Sequence, residues 1–407
     1  MKSGIVRKTT SYIMAVPMND LDVDSPELVY DRIKANEEFD LKEISFDDKN
    51  QCPMLTITYE NTDYVVDVNI EPLNIRPDFI LCYPLSEESV KRLKQAKLAI
   101  TTSVTFDDPV KSYHFQIKLI HCILPDKAAV IDLNTERIFS PEWISFAANL
   151  PVSPGPAYLF SVNVVPQQNS VWIHTHGLNR CGFVELEILD VPLSKVNLCA
   201  SVLSIIASKA ISENNLSNEE EPFEIAKIHD GQPFQIAWKP YKKALEDYTS
   251  DIPGADATRT PEHNYMNAAV YYYNNDTSSL VKITQVEDID LDKAFIKITD
   301  DETNRMCTLA QGTIPSLKKA CALENASALV KIKLETAEDA AVNNEHIWAD
   351  VDKITDDSVY CSLIQNSLYA QDISENDKIK TDLRNITDWV VKINDNRVTP
   401  DSAFLIQ

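Results

Sequence analysis

At 407 residues the chain is too long for one ordinary core, so two or three domains are expected. Its 44% hydrophobic and 25% charged residues are globular values, which exclude a disordered chain. A net charge of −24 leaves no basic stripe to neutralise phosphates, which argues against a nucleic-acid partner.

The start, MKSGIVRKTTSYIMAVPM, lacks the apolar core of a signal peptide, and no apolar run approaches the roughly 20 residues that span a bilayer. Eight scattered cysteines without CxxC spacing fit free thiols in a reducing cytoplasm, so a cytoplasmic location without a membrane partner is expected. Seven glycines leave no GxGxxG, no Walker-type loop and no GxSxG, which removes the commonest nucleotide-binding and nucleophile-elbow readings.

Ser11–Pro17 is predicted as the first strand. Ser25-Pro26-Glu27 then supplies an N-cap, an N1 proline and an early acid for a helix to about Asn36. Strands are expected at Met54–Tyr59, Tyr64–Ile70, Phe79–Tyr83 and Ala99–Phe106, with a helix over Glu87–Ala96. This mixture suggests an α+β layer over 1–106, with a ferredoxin-like order as the candidate arrangement.

A second α+β domain is expected over 107–246. Pro109 opens a helix to about Leu124, with Tyr113, Ile117, Ile120 and Leu124 at helical spacing. His114 and His121 share a face of that helix and read as partly buried helix residues rather than ligands. Strands follow at Ala128–Leu133, Tyr158–Val165, Val171–Thr175 and Phe183–Leu189, then an apolar helix over Leu193–Ile211. Asp247–Asn264 reads as a linker on its Pro, Gly, Asp and Thr content, within a linker region of 247–283; His229 and His263 read as solvated loop residues. Tyr271-Tyr272-Tyr273 reads as a strand entering a turn. A small β-rich domain is expected over 284–407, with strands near Ala328–Leu334, His346–Ile354 and Ser358–Ile364. The fold class is α+β, with mixed or antiparallel sheets and helices packed on one face.

Chemistry concentrates in Val171–Glu187, VWIHTHGLNRCGFVELE. Period-two alternation puts Trp172, His174 and His176 on one strand face. A hairpin register with Glu185 beside His174 would give two imidazoles and a carboxylate. Those are three zinc positions, with a fourth left for water. On this reading His174, His176 and Glu185 hold a divalent metal and Arg180 holds an anion. On the structural reading Gly177 and Gly182 take positive φ in a turn, and Arg180 pairs with Glu185 or Glu187. In the last domain His346, Trp348, Asp388 and Trp389 form the motif residues; no nucleophile–base pair accompanies them, and packing is expected.

Trp172–Glu187 (WIHTHGLNRCGFVELE) resembles the signature of domain of unknown function 4026, as do AVIDLNTERIFSPEW (Ala129–Trp143) and GQPFQIAW (Gly231–Trp238). EHIWADVDKI (Glu345–Ile354) and ITDWVV (Ile386–Val391) resemble domain of unknown function 2314. Tyr360-Cys361-Ser362 and Asn366-Ser367 stand where that second family usually has a glycine and an Asn-Pro. The resemblance implies a bacterial protein similar in style to intracellular immunity proteins, and it transfers no activity. The expected function is therefore a non-enzymatic module that binds another protein, perhaps a basic one, with no cofactor. The alternatives are a metal-dependent hydrolase on His174, His176 and Glu185, or a small-ligand sensor with its pocket between the N- and C-terminal units.

Overall fold

The structure is a computed structural model. It describes residues 4–23, 25–46, 53–74, 84–167, 169–228, 231–248, 252–259, 263, 267–286, 291, 299–336, 344–367, 369–370, 373–394 and 396–406. Phe79–Tyr83, His229, Cys52 and Cys82 lie outside them. The chain divides into two compact units, 1–144 with 155–299, and 145–154 with 300–407. Three sheets with helices make it α+β, as expected.

The larger unit holds two sheets. The first contains β1 (Thr10–Pro17), β2 (Asp40–Phe46), β3 (Pro53–Tyr59), β4 (Thr62–Pro72), β5 (Leu98–Thr105), β6 (Lys127–Asp132) and β7 (Arg137–Phe139). Their order is β2-β3-β4-β5-β1-β6-β7, antiparallel throughout. This is not a ferredoxin-like order. β6 pairs with β1, so the sheet runs across the break expected at residue 106. The physical reason is burial: all six residues of β6 are buried, and such a strand needs neighbours in a sheet interior.

The second sheet contains β8 (Ser161–Gln167), β9 (Ser170–His176), β10 (Glu185–Pro192), β11 (Phe223–Ile228), β12 (Gln232–Pro240), β13 (Asn267–Asn274) and β14 (Ser279–Lys282). Its order is β11-β12-β13-β10-β9-β8, with β14 added to β13. The β10–β13 pair is parallel, so the sheet is mixed. β13 falls within the 247–283 region read as linker and is instead an interior strand. Ala268, Ala269, Val270 and Tyr271 are buried there, and the polar residues before it concealed that role.

Contrary to the sequence expectation that no apolar run is long enough, helix Leu193–Glu213 is long and apolar enough, by length and composition, to cross a membrane. Its Cys199, Val202, Leu203, Ile206 and Ala207 are buried within the unit, and it packs on β9 and β10 as a core helix.

The smaller unit has one antiparallel sheet of β15 (Ala326–Glu335), β16 (Asn344–Ile354), β17 (Ser358–Leu363), β18 (Lys378–Asp382), β19 (Ile386–Ile393) and β20 (Asn396–Val398), ordered β18-β17-β16-β15-β19-β20. Helices Asp300–Gly312 and Ile314–Cys321 cover one face, joined to Val330, Ile332, Ile347 and Trp389 in one core. Trp389 is fully buried, and its indole N–H donates to Thr313 Oγ1 at 3.1 Å. The Cys122, Cys181, Cys199, Cys307, Cys321 and Cys361 thiols are free.

Candidate metal centre

β9 and β10 are antiparallel, with Glu187 opposite His174 and Ile188 opposite Ile173. Side chains of cross-strand partners share a face, so Trp172, His174, His176 and Glu187 rise from one side of the hairpin. Between the strands lies the short helix Leu178–Cys181, flanked by Gly177 at φ 107° and Gly182 at φ 93°. A Cβ on Gly177 would sit 2.5 Å from the Leu159 carbonyl oxygen, so only glycine fits this turn.

His174 Nε2 lies 3.0 Å from His176 Nε2, and His263 Nε2 lies 3.2 Å from His176 Nε2. One ring nitrogen from each of the three lies within 4.8 Å of the others. The ring centroids form a near-equilateral triangle, at 4.8, 4.9 and 4.9 Å, with the planes steeply inclined at 69°, 80° and 74°. Three nitrogens around a tetrahedral zinc at about 2.0–2.1 Å are about 3.3 Å apart, close to the 3.0 and 3.2 Å separations at His176, with the third pair within 4.8 Å. Protons alone satisfy the cluster poorly. A neutral imidazole nitrogen carries one proton or one lone pair, so His176 Nε2 has a single proton or a single lone pair to share between its two Nε2 neighbours.

Around the triad the supports are aromatic and ionic. Trp172 stacks on His174 at 3.9 Å and meets His263 edge-on at 5.2 Å. Arg259 lies over Trp172 at 4.8 Å and over Tyr241 at 3.4 Å. Its Nη1 donates to the His263 carbonyl at 2.9 Å, its Nε to the Gly254 carbonyl at 2.5 Å, and its Nη2 to Glu187 Oε2 at 2.5 Å. Both side chains of that ion pair are fully buried. Burial pushes His174 down to about 2, helped by His176, His263 and Arg259, so its ring is neutral and has a lone pair to offer. Burial pushes Glu187 upward, and Arg259 opposes it.

Glu185, expected as the third ligand, stands elsewhere. Its carboxylate accepts from the Thr175 hydroxyl at 2.7 Å, from Gly177 N at 2.9 Å and from Asn179 N at 3.1 Å. It caps the turn, because the register sets Glu187 and not Glu185 opposite His174. Arg180, expected to hold an anion or pair with Glu185 or Glu187, pairs with Asp132 instead. It is fully buried, with Nη2 2.7 Å from Asp132 Oδ2 and Nη1 3.0 Å from Ser11 Oγ, beneath Tyr113 and Phe106. Burial raises the Cys181 thiol to about 12.

The other residues singled out have partners of their own. His114 is buried on helix Pro109–Ile123, and His121 Nδ1 lies 3.0 Å from Lys127 Nζ. In the smaller unit His346 Nδ1 lies 3.0 Å from Thr387 Oγ1, Lys331 Nζ sits over the Trp348 ring at 5.8 Å, and Asp388 accepts from the Trp389 N–H at 2.8 Å.

Sequence reasoning missed His263, Glu187 and Arg259. His263, assigned to a solvated loop, is half-buried in the cluster. The available signal was chemical rather than positional: a three-histidine site needs a third imidazole, and PEHN (Pro261–Asn264) offered one.

Comparison with family models places all three histidines in one segment. Residues 11–154 match the N-terminal part, and residues 162–271 the C-terminal part, of the protein of unknown function DUF4026. Residues 300–400 match DUF2314, an uncharacterized protein conserved in bacteria. No curated protein and no solved structure matches the chain. The chain therefore belongs to the DUF4026 family and carries a DUF2314 domain after it, in the order its motifs implied.

Proposed function

We propose that the chain is a metalloprotein whose second sheet holds one divalent transition ion, of the zinc class, on His174, His176 and His263. The convergence of three imidazole nitrogens within 4.8 Å carries this reading. Imidazole nitrogens suit zinc, copper, nickel and iron better than the hard cations, which take oxygen. Three imidazoles are also a protein ligand set used by open sites, where water completes the coordination. A zinc ion in such a site lowers the pKa of its water to about 7 and makes it a nucleophile at neutral pH. The function this supports is therefore hydrolytic, with His174, His176 and His263 holding the ion and Trp172 and Arg259 walling the site.

The reading as a protein-binding module rests on the resemblance to immunity proteins, which is analogy, and on net charge, which informs solubility and association but selects no partner. The histidine triad is a specific constellation and outweighs it.

The test is metal content by mass spectrometry on protein purified without chelator, beside single alanine variants of the three histidines. The expected result is near-stoichiometric zinc in the native chain and loss in each variant. Absence of zinc, iron, copper and nickel, with no uptake on reconstitution, would reduce the cluster to a packed aromatic group.

A further inference from the structure

Glu187 uses its two oxygens unequally. Oε2 accepts from Arg259 Nη2 at 2.5 Å, Trp172 Nε1 at 3.1 Å and Asn267 Nδ2 at 3.2 Å. Oε1 is buried and has no hydrogen-bond partner. Opposite Glu187, on the same sheet face, stands His174, only 2% exposed. Its Nδ1 is likewise buried and without a partner. An acceptor and a ring nitrogen, both orphaned, thus occupy directly paired positions, although buried polar atoms are nearly always satisfied.

From this pairing we infer that Glu187 is the positioning residue of the centre. Its Oε1 receives the Nδ1–H of His174 when Nε2 of that ring binds metal, and its Oε2, through Arg259, fixes His263. The inference rests on the metal-binding reading proposed above. The chemistry is that of tautomers. A metal on Nε2 takes that nitrogen's lone pair and leaves the ring proton on Nδ1, which must then donate. Glu187 is the carboxylate placed across the strand pair to accept it. No hydrogen bond joins the two atoms in the structure, and the inference requires one to form when metal is loaded.

The second arm is already in place. Arg259 spends Nη2 on Glu187, Nη1 on the His263 carbonyl and Nε on the Gly254 carbonyl. Its planar fork is thus fixed on the strand pair by the glutamate and grips the backbone of the third ligand. One carboxylate thereby orients two ligands that lie far apart in the chain. Neither arm requires Glu187 to touch the ion, so it acts through the ligands.

The full chain is stripped of metal and titrated with Zn²⁺ against a competing chelator, and with Co²⁺ while the visible d–d bands are recorded. Native protein is compared with Glu187→Gln. In that variant the amide oxygen is drawn to the three donors, which leaves the amide NH₂ facing a donor on His174. Zinc affinity should fall about 10–100-fold, as for other partners of metal-bound histidines, and the Co²⁺ bands should shift. A glutamate that served only stability would lower the melting temperature and leave the affinity and cobalt spectrum of the folded protein unchanged, which would overturn the inference with metal binding intact. If the native chain takes up neither ion, the metal reading fails and this inference falls with it.

A measurement on the native chain covers failure of the variant to fold. In zinc-loaded protein labelled with ¹⁵N-histidine, His174 should show an exchange-protected, downfield Nδ1–H resonance. A zinc-loaded spectrum without that resonance overturns the assignment.

Discussion

His263 Nε2 lies 3.2 Å from His176 Nε2, across 87 residues of chain. Bringing them together closes a long loop, at an entropic cost that grows slowly with length. A ligand bound at the junction stabilises the fold by mass action. At a free zinc concentration 100 times Kd the gain is about 2.7 kcal/mol. Thermal melts with and without zinc should show an upward shift in the native chain and little in His263→Ala. Equal shifts in both would place zinc elsewhere.

Arg180 and Asp132 are both fully buried and paired at 2.7 Å, which ties the β9–β10 turn to the first sheet. Removing one partner strands a buried charge, so Arg180→Met should cost about 3–5 kcal/mol. Arg180→Met combined with Asp132→Leu should recover part of that loss. Urea unfolding followed by tryptophan fluorescence measures both, and an unmoved midpoint in the single variant would contradict the assignment.

Lys127 Nζ lies 3.0 Å from His121 Nδ1, and both are partly withdrawn from water. Burial first, then Lys127 and Lys118, lower His121 from 6.5 to about 4. Between those values the unfolded chain binds a proton that the folded chain refuses. Stability therefore falls as pH drops from 6.5 towards 4 and is fully present above 6.5. Burial also lowers Lys127 from 10.5 to about 8, so its contribution rises with pH between 8 and 10.5. Unfolding titrations of His121→Asn should show a shallower acid slope than the native chain; identical slopes would rule His121 out.

Gly177 and Gly231 both have positive φ, at 107° and 82°. A Cβ at Gly177 meets the Leu159 carbonyl oxygen at 2.5 Å and the Thr135 methyl at 2.9 Å, whereas at Gly231 nothing lies within 4 Å. Gly231→Ala should cost only the strain of the left-handed region, about 1 kcal/mol. Gly177→Ala adds a clash with backbone and should lose more, and it should also weaken zinc binding because the turn follows His176. Comparable melting temperatures for the two variants would show that the turn yields.

Local pattern carried much of this protein. Alternation in Val171–His176 placed Trp172, His174 and His176 on one face, and the apolar positions of Pro109–Ile123 gave the core helix, because both depend only on neighbours a few residues away. The motifs also identified the family, since a signature is a local string. Pairings between distant segments were not legible. A two-residue difference in register exchanged Glu185 for Glu187 opposite His174. The polar run before β13 read as linker because its composition resembles one. In the fold Arg259 and His263 come from it, and it leads into an interior strand. Residue types fix which groups are able to bind a metal or pair a charge. Only the assembled sheet decides which of them meet, because that choice is made by burial and strand register across dozens of residues.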